Sequence, residues 1–173
     1  MADVGKVVVE LQQAGEGMGK ASSLTAQVDA RATQVQSRAA ANGFRGVAEG
    51  MGKVRERLKR INEMQAGVVT SVKQTGEVVQ GVTEDMSPAD VVSTLSPAAQ
   101  QLGSSSTATS AIVAEVDGAK TDIAAALRGG TPGPLIALAD QLKQALTQVR
   151  SHLGGAKQRT EETIAAARQT GNF

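Results

Sequence analysis

Apolar residues recur along almost the whole chain at alternating steps of three and four. The four apolar stripes run over residues 4–39, 44–82, 91–126 and 135–167. A repeat that averages about 3.5 residues is typical of the seam along which coiled-coil helices pack. The pattern therefore predicts four long helices, each burying one narrow stripe of mostly Val, Ala, Leu, Ile and Met side chains.

Turn-forming residues separate the four stripes. Asn42-Gly43 can supply the left-handed cap that ends the first helix. The stretch 87–90, SPAD, has the pattern of an N-cap followed by proline at the first helical position. The stretch 129–134, GGTPGP, indicates a turn before the fourth helix. Because short turns make sequential helices antiparallel, the sequence predicts an all-α, antiparallel four-helix coiled-coil-like bundle made of two long helical hairpins.

The turns also define the predicted domain organisation. Residues 1–86 form the first hairpin and residues 87–173 the second, and we expect the two to pack as one bundle. Ser96-Pro97 predicts a restart or kink of the third helix, because an interior proline removes a hydrogen bond. Many glycines fall inside the helical segments, and each costs roughly 1 kcal/mol relative to alanine. Helices that carry this cost need tertiary or partner contacts to persist.

Composition removes several classes of function. The chain has 18 basic and 17 acidic residues, no cysteine and one histidine, His152. A nearly neutral chain with almost no aromatic side chains to stack on bases is not expected to bind nucleic acid. One histidine without cysteine does not make a multi-ligand metal site of the usual kind. Because no catalytic or cofactor-binding constellation is recognisable, we expect a non-enzymatic protein without a cofactor or a metal.

The glycine-rich repeats and one basic run resemble binding motifs, but each is interpreted as a structural feature. GEGMGKAS at 15–22 resembles a phosphate-binding loop but lacks the first glycine and the hydroxyl residue after the lysine. EGMGK recurs at 49–53, and in both copies the methionine lies on the apolar stripe. We therefore expect close helix approach or local softness at these glycines. The basic run RERLKR at 55–60 is predicted to be a solvated face.

The N-terminal residues do not predict export by the general secretory route. MADVGKVVVELQQ lacks a continuous apolar core and a small-residue cleavage site. No apolar run approaches the length of a membrane-spanning helix, so no integral membrane segment is expected. We expect a cytoplasmic protein, whose export would need a route that reads no cleavable signal peptide.

The elbow between the first two helices, NGFRG, holds the candidate site residues Asn42, Gly43, Phe44 and Gly46. Apart from the last residue of the chain, Phe44 is the only aromatic residue. It follows the predicted cap and starts the second stripe, so we expect its ring to be buried as an anchor that closes the hairpin end. Replacing such an anchor with alanine would cost roughly 3 kcal/mol. Gly46 would let helices or a partner approach closely.

Two helices of about 40 residues, joined at an aromatic-x-Gly elbow, resemble the WxG-motif (ESAT-like) family of type VII secretion substrates. Phe44, Arg45 and Gly46 carry the resemblance, which covers residues 1–86 and extends loosely to helical leader and partner proteins of actinobacterial polymorphic toxins. The aromatic residue is Phe rather than Trp, and the tail signal of the family, which begins with Tyr, is absent because the chain has no Tyr. The resemblance implies a hairpin that pairs with another hairpin, and export with or for a toxin.

A protein of this kind would act as a substrate, partner or chaperone, and its partner would be another helical protein or a second copy. The alternative is a cytoplasmic signalling or scaffold coiled coil, because residues 38–64 resemble the hairpin tip of a chemoreceptor. A third interpretation is a bundle that coats lipid or granules. The narrow Val/Ala stripe disfavours it.

Overall fold

The protein is an antiparallel bundle of four long helices in a computed structural model that describes residues 4–171. The helices are α1 (Val4–Ala41), α2 (Arg45–Gln80), α3 (Pro88–Ala126) and α4 (Gly133–Gly171). Each helix packs against two neighbours, in the cyclic order α1, α2, α3, α4 and back to α1. The predicted four-helix bundle of two hairpins is therefore confirmed, with each helix about 55–60 Å long at 1.5 Å per residue.

The core follows the predicted apolar stripes closely. Side chains from all four helices form one hydrophobic cluster along the length of the bundle. Its largest fully buried members include Met18, Met51, Ile61, Leu102 and Leu146. Most of the predicted stripe positions are buried and a few near the helix ends are half-buried, whereas Phe44 is exposed. Slim side chains let four helices run close together, so the core needs no aromatic ring.

The cap of α3 and the turn before α4 follow from residues that the sequence places there. Ser87 is the N-cap of α3, and its Oγ accepts a hydrogen bond from the Asp90 N–H at 3.2 Å. Pro88 follows it at the start of the helix, where no backbone N–H is needed. Gly129 has a φ of 91°, a left-handed conformation that glycine adopts without steric cost, in the turn before α4. The predicted start of α3 is confirmed.

Of the restart or kink predicted at Pro97, the restart is wrong. α3 is one helix that runs through Pro97. The buried residues Leu95 and Ala98 lie on either side of the proline, and both belong to the continuous core. Their burial on both sides offsets the backbone hydrogen bond that proline removes.

Polar side chains interrupt the core between helices. Thr25 and Gln65 are both buried, and Gln65 Nε2 donates to Thr25 Oγ1 at 3.1 Å. The Thr25 hydroxyl lies 3.2 Å from Gln65 Oε1 and 3.0 Å from the Ala21 carbonyl oxygen. One hydroxyl hydrogen satisfies only one of those two acceptors. This pair therefore links α1 to α2 without saturating its hydrogen-bonding capacity.

Candidate interaction site

The elbow between α1 and α2 is a hydrogen-bonded helix cap. Gly43 has a φ of 76°, in the left-handed region that ends helices. The Gly43 N–H donates to the Ala40 carbonyl at 3.2 Å, and the Phe44 N–H donates to the Ala39 carbonyl at 2.8 Å. These two bonds form a Schellman motif. The cap that the sequence predicts at Asn42-Gly43 is confirmed, and the Asn42 side chain adds a bond of 2.8 Å from Nδ2 to the Arg38 carbonyl.

The expectation that Phe44 is a buried anchor is wrong, because its side chain is exposed, with a relative exposure of 63%. Phe44 is the N-cap of α2, with φ −79° and ψ 69°, so it lies outside the helix whose stripe it was expected to begin. The backbone turns there, and the side chain does not point along the seam. The stripe of α2 begins instead at the half-buried Val47 and the buried Met51.

Gly46 makes no close approach within the chain. A Cβ built on it would meet no atom within 4 Å, and its φ is not positive. The structure brings Asn42, Gly43 and Phe44 together in one capped turn, with Gly46 exposed in the first turn of α2. This end of the bundle therefore presents one aromatic ring from a turn that backbone hydrogen bonds close.

The basic run at 55–60 is mostly paired within the chain. Arg55 Nε donates to Asp29 Oδ1 at 3.0 Å and Arg55 Nη1 to Gln36 Oε1 at 3.1 Å, both on α1. Arg57 turns the other way and pairs with Glu115 and Asp122 on α3, at 2.7 and 2.9 Å. The prediction of a solvated face therefore misses the role of these two arginines, which tie α2 to both of its neighbours.

Arg57 lies in a notch on α3. A Cβ on Gly118 would be 2.7 Å from Arg57 Nη1 and 2.9 Å from Cζ, so a larger residue at position 118 would displace the guanidinium. The hydrogen bond with Asp122 is the main cause that raises the pKa of Arg57. Charge-assisted bonds of this kind are stronger than neutral ones. The sequence does not predict the contact between Gly118 and Arg57, because a glycine inside a helix indicates only a loss of helix stability.

The repeated EGMGK motif packs one helix against another. Met18 and Met51 are fully buried. A Cβ on Gly17 would be 2.8 Å from Val149 Cγ2, and a Cβ on Gly50 would be 2.5 Å from the Ala126 Cβ. Both contacts cross from the first hairpin to the second. The predicted close approach is confirmed at these two glycines, which lie inside helices rather than in a phosphate-binding loop.

His152 closes the contact between α4 and α1. Its Nδ1 lies 2.7 Å from Glu10 Oε2, and Arg159 Nε is 3.8 Å from Glu10 Oε1. A Cβ on Gly155 would be 3.3 Å from the same carboxylate. The histidine therefore joins Arg159 around the Glu10 carboxylate between the two hairpins, next to Gly155.

Surface grooves follow the helix boundaries. One groove has a volume of about 620 Å³, lies between α1 and α2, and includes the paired Asp29 and Arg55 among its walls. Within residues 4–171, no three histidine or carboxylate side chains gather as metal ligands. Over the same residues, none of the helices combines the length and the hydropathy needed to cross a membrane.

Comparison with known proteins places the second hairpin in a family. A protein-family profile, described as a family of unknown function (DUF6244), matches residues 86–172. The chain belongs to this family. The DUF6244 match covers α3 and α4 together with the Ser87 cap, and it leaves out the elbow at 42–46. Neither the curated proteins nor the solved structures gave a match.

Proposed function

We propose that this DUF6244 protein is a non-enzymatic helical protein that acts through protein–protein contacts at the elbow of its first hairpin. The observation that carries the proposal is the exposure of Phe44, the one aromatic ring among the described residues, on a capped turn. Large aromatic side chains that stay exposed are favourable contact residues, because they bury much apolar surface on binding. Gly46 next to it leaves open space for a partner.

The proposed context is type VII secretion or a polymorphic toxin system, in which the protein would be a substrate, partner or chaperone. The support is the resemblance of the 44–46 elbow and of the hairpin length to the WxG-motif family. α1 and α2 have 38 and 36 residues, close to the predicted length of about 40. In this proposal α3 and α4 occupy the place that a separate partner hairpin takes in that family.

The experiment uses the protein in its native host. Wild-type protein should accumulate in the culture supernatant without release of a cytoplasmic marker, and Phe44→Ala should reduce the exported fraction while leaving the melting temperature unchanged. Val78→Ala is the matched control, because Val78 is also exposed but lies on α2 near its other end. Absence of the wild-type protein from the supernatant would contradict export, and equal export of Phe44→Ala would contradict the role of the elbow.

The neighbouring genes separate this proposal from the signalling alternative. A secretion ATPase or a toxin–immunity pair beside the gene supports the export context. A histidine kinase or a receptor in that place supports a scaffold coiled coil, in which the exposed Phe44 would contact a signalling partner instead.

A further inference from the structure

The three glycines at which an added Cβ would come closest to another side chain all face the other hairpin. Among the described glycines, a Cβ would come within 3.0 Å of another side chain at Gly17, Gly50 and Gly118 only, and the atoms met belong to Val149, Ala126 and Arg57. Each of these contacts joins one helix of the first hairpin to one helix of the second. The glycines therefore form notches that fit one hairpin to the other.

The two sides of this interface share one arrangement. On the α2–α3 side the first hairpin has a notch at Gly50. Seven residues later it has Arg57, a charged side chain that inserts into a notch of the other hairpin and is here called an insert. On the α1–α4 side it supplies a charged insert, Glu10, and seven residues later a notch, Gly17. The second hairpin receives the two inserts at Gly118 and Gly155, respectively.

Charge complementarity accompanies the steric fit. Arg57 is bound by Glu115 and Asp122, and Glu10 is bound by His152 and Arg159. The first hairpin thus offers Arg57 to two carboxylates on one side. On the other side it offers Glu10 to the His152 imidazole and, at 3.8 Å, to the Arg159 guanidinium. A hairpin without this pattern would leave charges unpaired at the notches, which disfavours it as a partner.

Each hairpin is also tied internally. Asp29 pairs with Arg55 within the first hairpin, and Asp117 pairs with Lys143 within the second. The connection between the hairpins is the single segment 81–87, in which most residues are exposed. Two internally linked units joined by one short segment satisfy the structural requirement for exchange between copies.

We propose that the face of α3–α4 is a docking surface for the α1–α2 hairpin of a second copy of this chain, so that two copies exchange hairpins in a dimer. The interface inside the bundle supplies every contact that the exchanged dimer needs, and only residues 81–87 have to reorganise. Exchange depends on concentration, because the hairpin of the same chain has the higher effective concentration in dilute solution. The DUF6244 match to α3–α4 alone agrees with a second hairpin that is a unit of its own.

The test uses two full-length variants with opposite mismatches. Arg57→Glu faces the native acids of α3, and the double variant Glu115→Gln with Asp122→Lys faces the native Arg57. In either variant alone, like charges face each other between α2 and α3, both in the monomer and in an exchanged homodimer. In an exchanged heterodimer, the substituted side chains of the two variants meet in one bundle and the native residues meet in the other, so both mismatches disappear.

The two variants are unfolded, mixed in equal amounts, refolded together at high concentration and analysed by native mass spectrometry. We expect the heterodimer to exceed either homodimer about tenfold, which corresponds to about 1.4 kcal/mol. The matched control mixes Lys120→Glu with Asp140→Lys. That ion pair lies within the second hairpin, so exchange of hairpins does not relieve the repulsion between the like charges. Mixing these two variants should give no heterodimer excess.

A second pair of variants, which changes side-chain size instead of charge, tests the exchange if the charge variants fail to refold. Gly118→Leu blocks the notch, and Arg57→Ala removes the side chain that fills it, so these two full-length variants should also form a heterodimer when refolded together. Refolding of the charge variants only when they are mixed would support exchange. An absence of heterodimer excess from the folded steric pair would overturn it.

Discussion

Glycine has two opposite roles at the scale of single residues. At Gly50 a methyl group would collide with Ala126, whereas at Gly67 it would meet nothing within 4 Å. Both lie inside α2, and neither has a positive φ. The sequence predicts the same cost of about 1 kcal/mol for both, because helix propensity does not depend on which side chains a neighbouring helix brings. Only the structure distinguishes the required glycine from the replaceable one.

Alanine at these two positions should therefore change stability in opposite directions. Gly67→Ala should raise the free energy of unfolding by about 0.5–1 kcal/mol through helix propensity. Gly50→Ala should lower it by about 1–3 kcal/mol, because the new methyl group overpacks the contact with α3. Urea unfolding followed by circular dichroism measures both, and stabilisation by Gly50→Ala would show that the α2–α3 contact is looser than described.

Phe44 gives a second prediction at this scale. Its exposed ring should make Phe44→Ala nearly neutral, with a change of about 0.5 kcal/mol or less in the free energy of unfolding. The sequence alone predicts a loss of roughly 3 kcal/mol, because a heptad count cannot tell a first helical residue from the cap before it. A loss of that larger size in thermal unfolding would place the ring in the core and would remove the support for a contact surface at the elbow.

For whole helices, the sequence predicts well which residues of a helix are buried. It does not predict which neighbouring helix those residues contact. The repeat of three and four identifies most of the buried positions of all four helices, and the Ser87 and Gly43 caps follow from local chemistry. The continuation of α3 through Pro97 could not be predicted, since it depends on core packing from other helices. The partners of Arg57 and Glu10 were equally hidden, because a repeat has no information on the order of helices around the bundle.

The buried Thr25–Gln65 hydrogen bond joins α1 to α2, and replacing both residues tests what it contributes to stability. Thr25→Val combined with Gln65→Leu should raise the free energy of unfolding by about 1–3 kcal/mol, because apolar groups replace a pair that is not fully hydrogen-bonded. Gln65→Leu alone should gain less, since it leaves the Thr25 hydroxyl with the Ala21 carbonyl as its one acceptor. A less stable double variant in urea unfolding would mean that the polar pair itself stabilises the alignment of the two helices.

At the scale of the whole molecule, the bundle is two hairpins that fit each other through notches and opposite charges. Arg57 is the clearest contributor, with a side chain that is 25% exposed and is bound by two carboxylates of α3. Arg60 lies on the same helix but is 55% exposed and is 3.8 Å from Glu115. The two arginines thus form a matched pair, one inside the hairpin interface and one at its edge.

Arg57→Ala should lower the free energy of unfolding by about 1–3 kcal/mol, because it leaves Asp122 without its arginine and Glu115 with only the more distant Arg60. Arg60→Ala should change it by about 0.5 kcal/mol or less, as expected for an exposed ion pair. Thermal unfolding of the two variants under one buffer condition measures the difference. Equal effects would indicate that Arg57 is not held in the Gly118 notch.

The packing of the two hairpins as one bundle requires contact between Gly17 and Val149 and between Gly50 and Ala126. Nuclear Overhauser effects in the assigned protein test it most directly, since they report proton pairs that are close in space. We predict strong cross-peaks from the Gly17 Hα protons to a Val149 methyl group and from the Gly50 Hα protons to the Ala126 methyl group. Absence of both cross-peaks, with contacts inside each hairpin intact, would contradict the bundle.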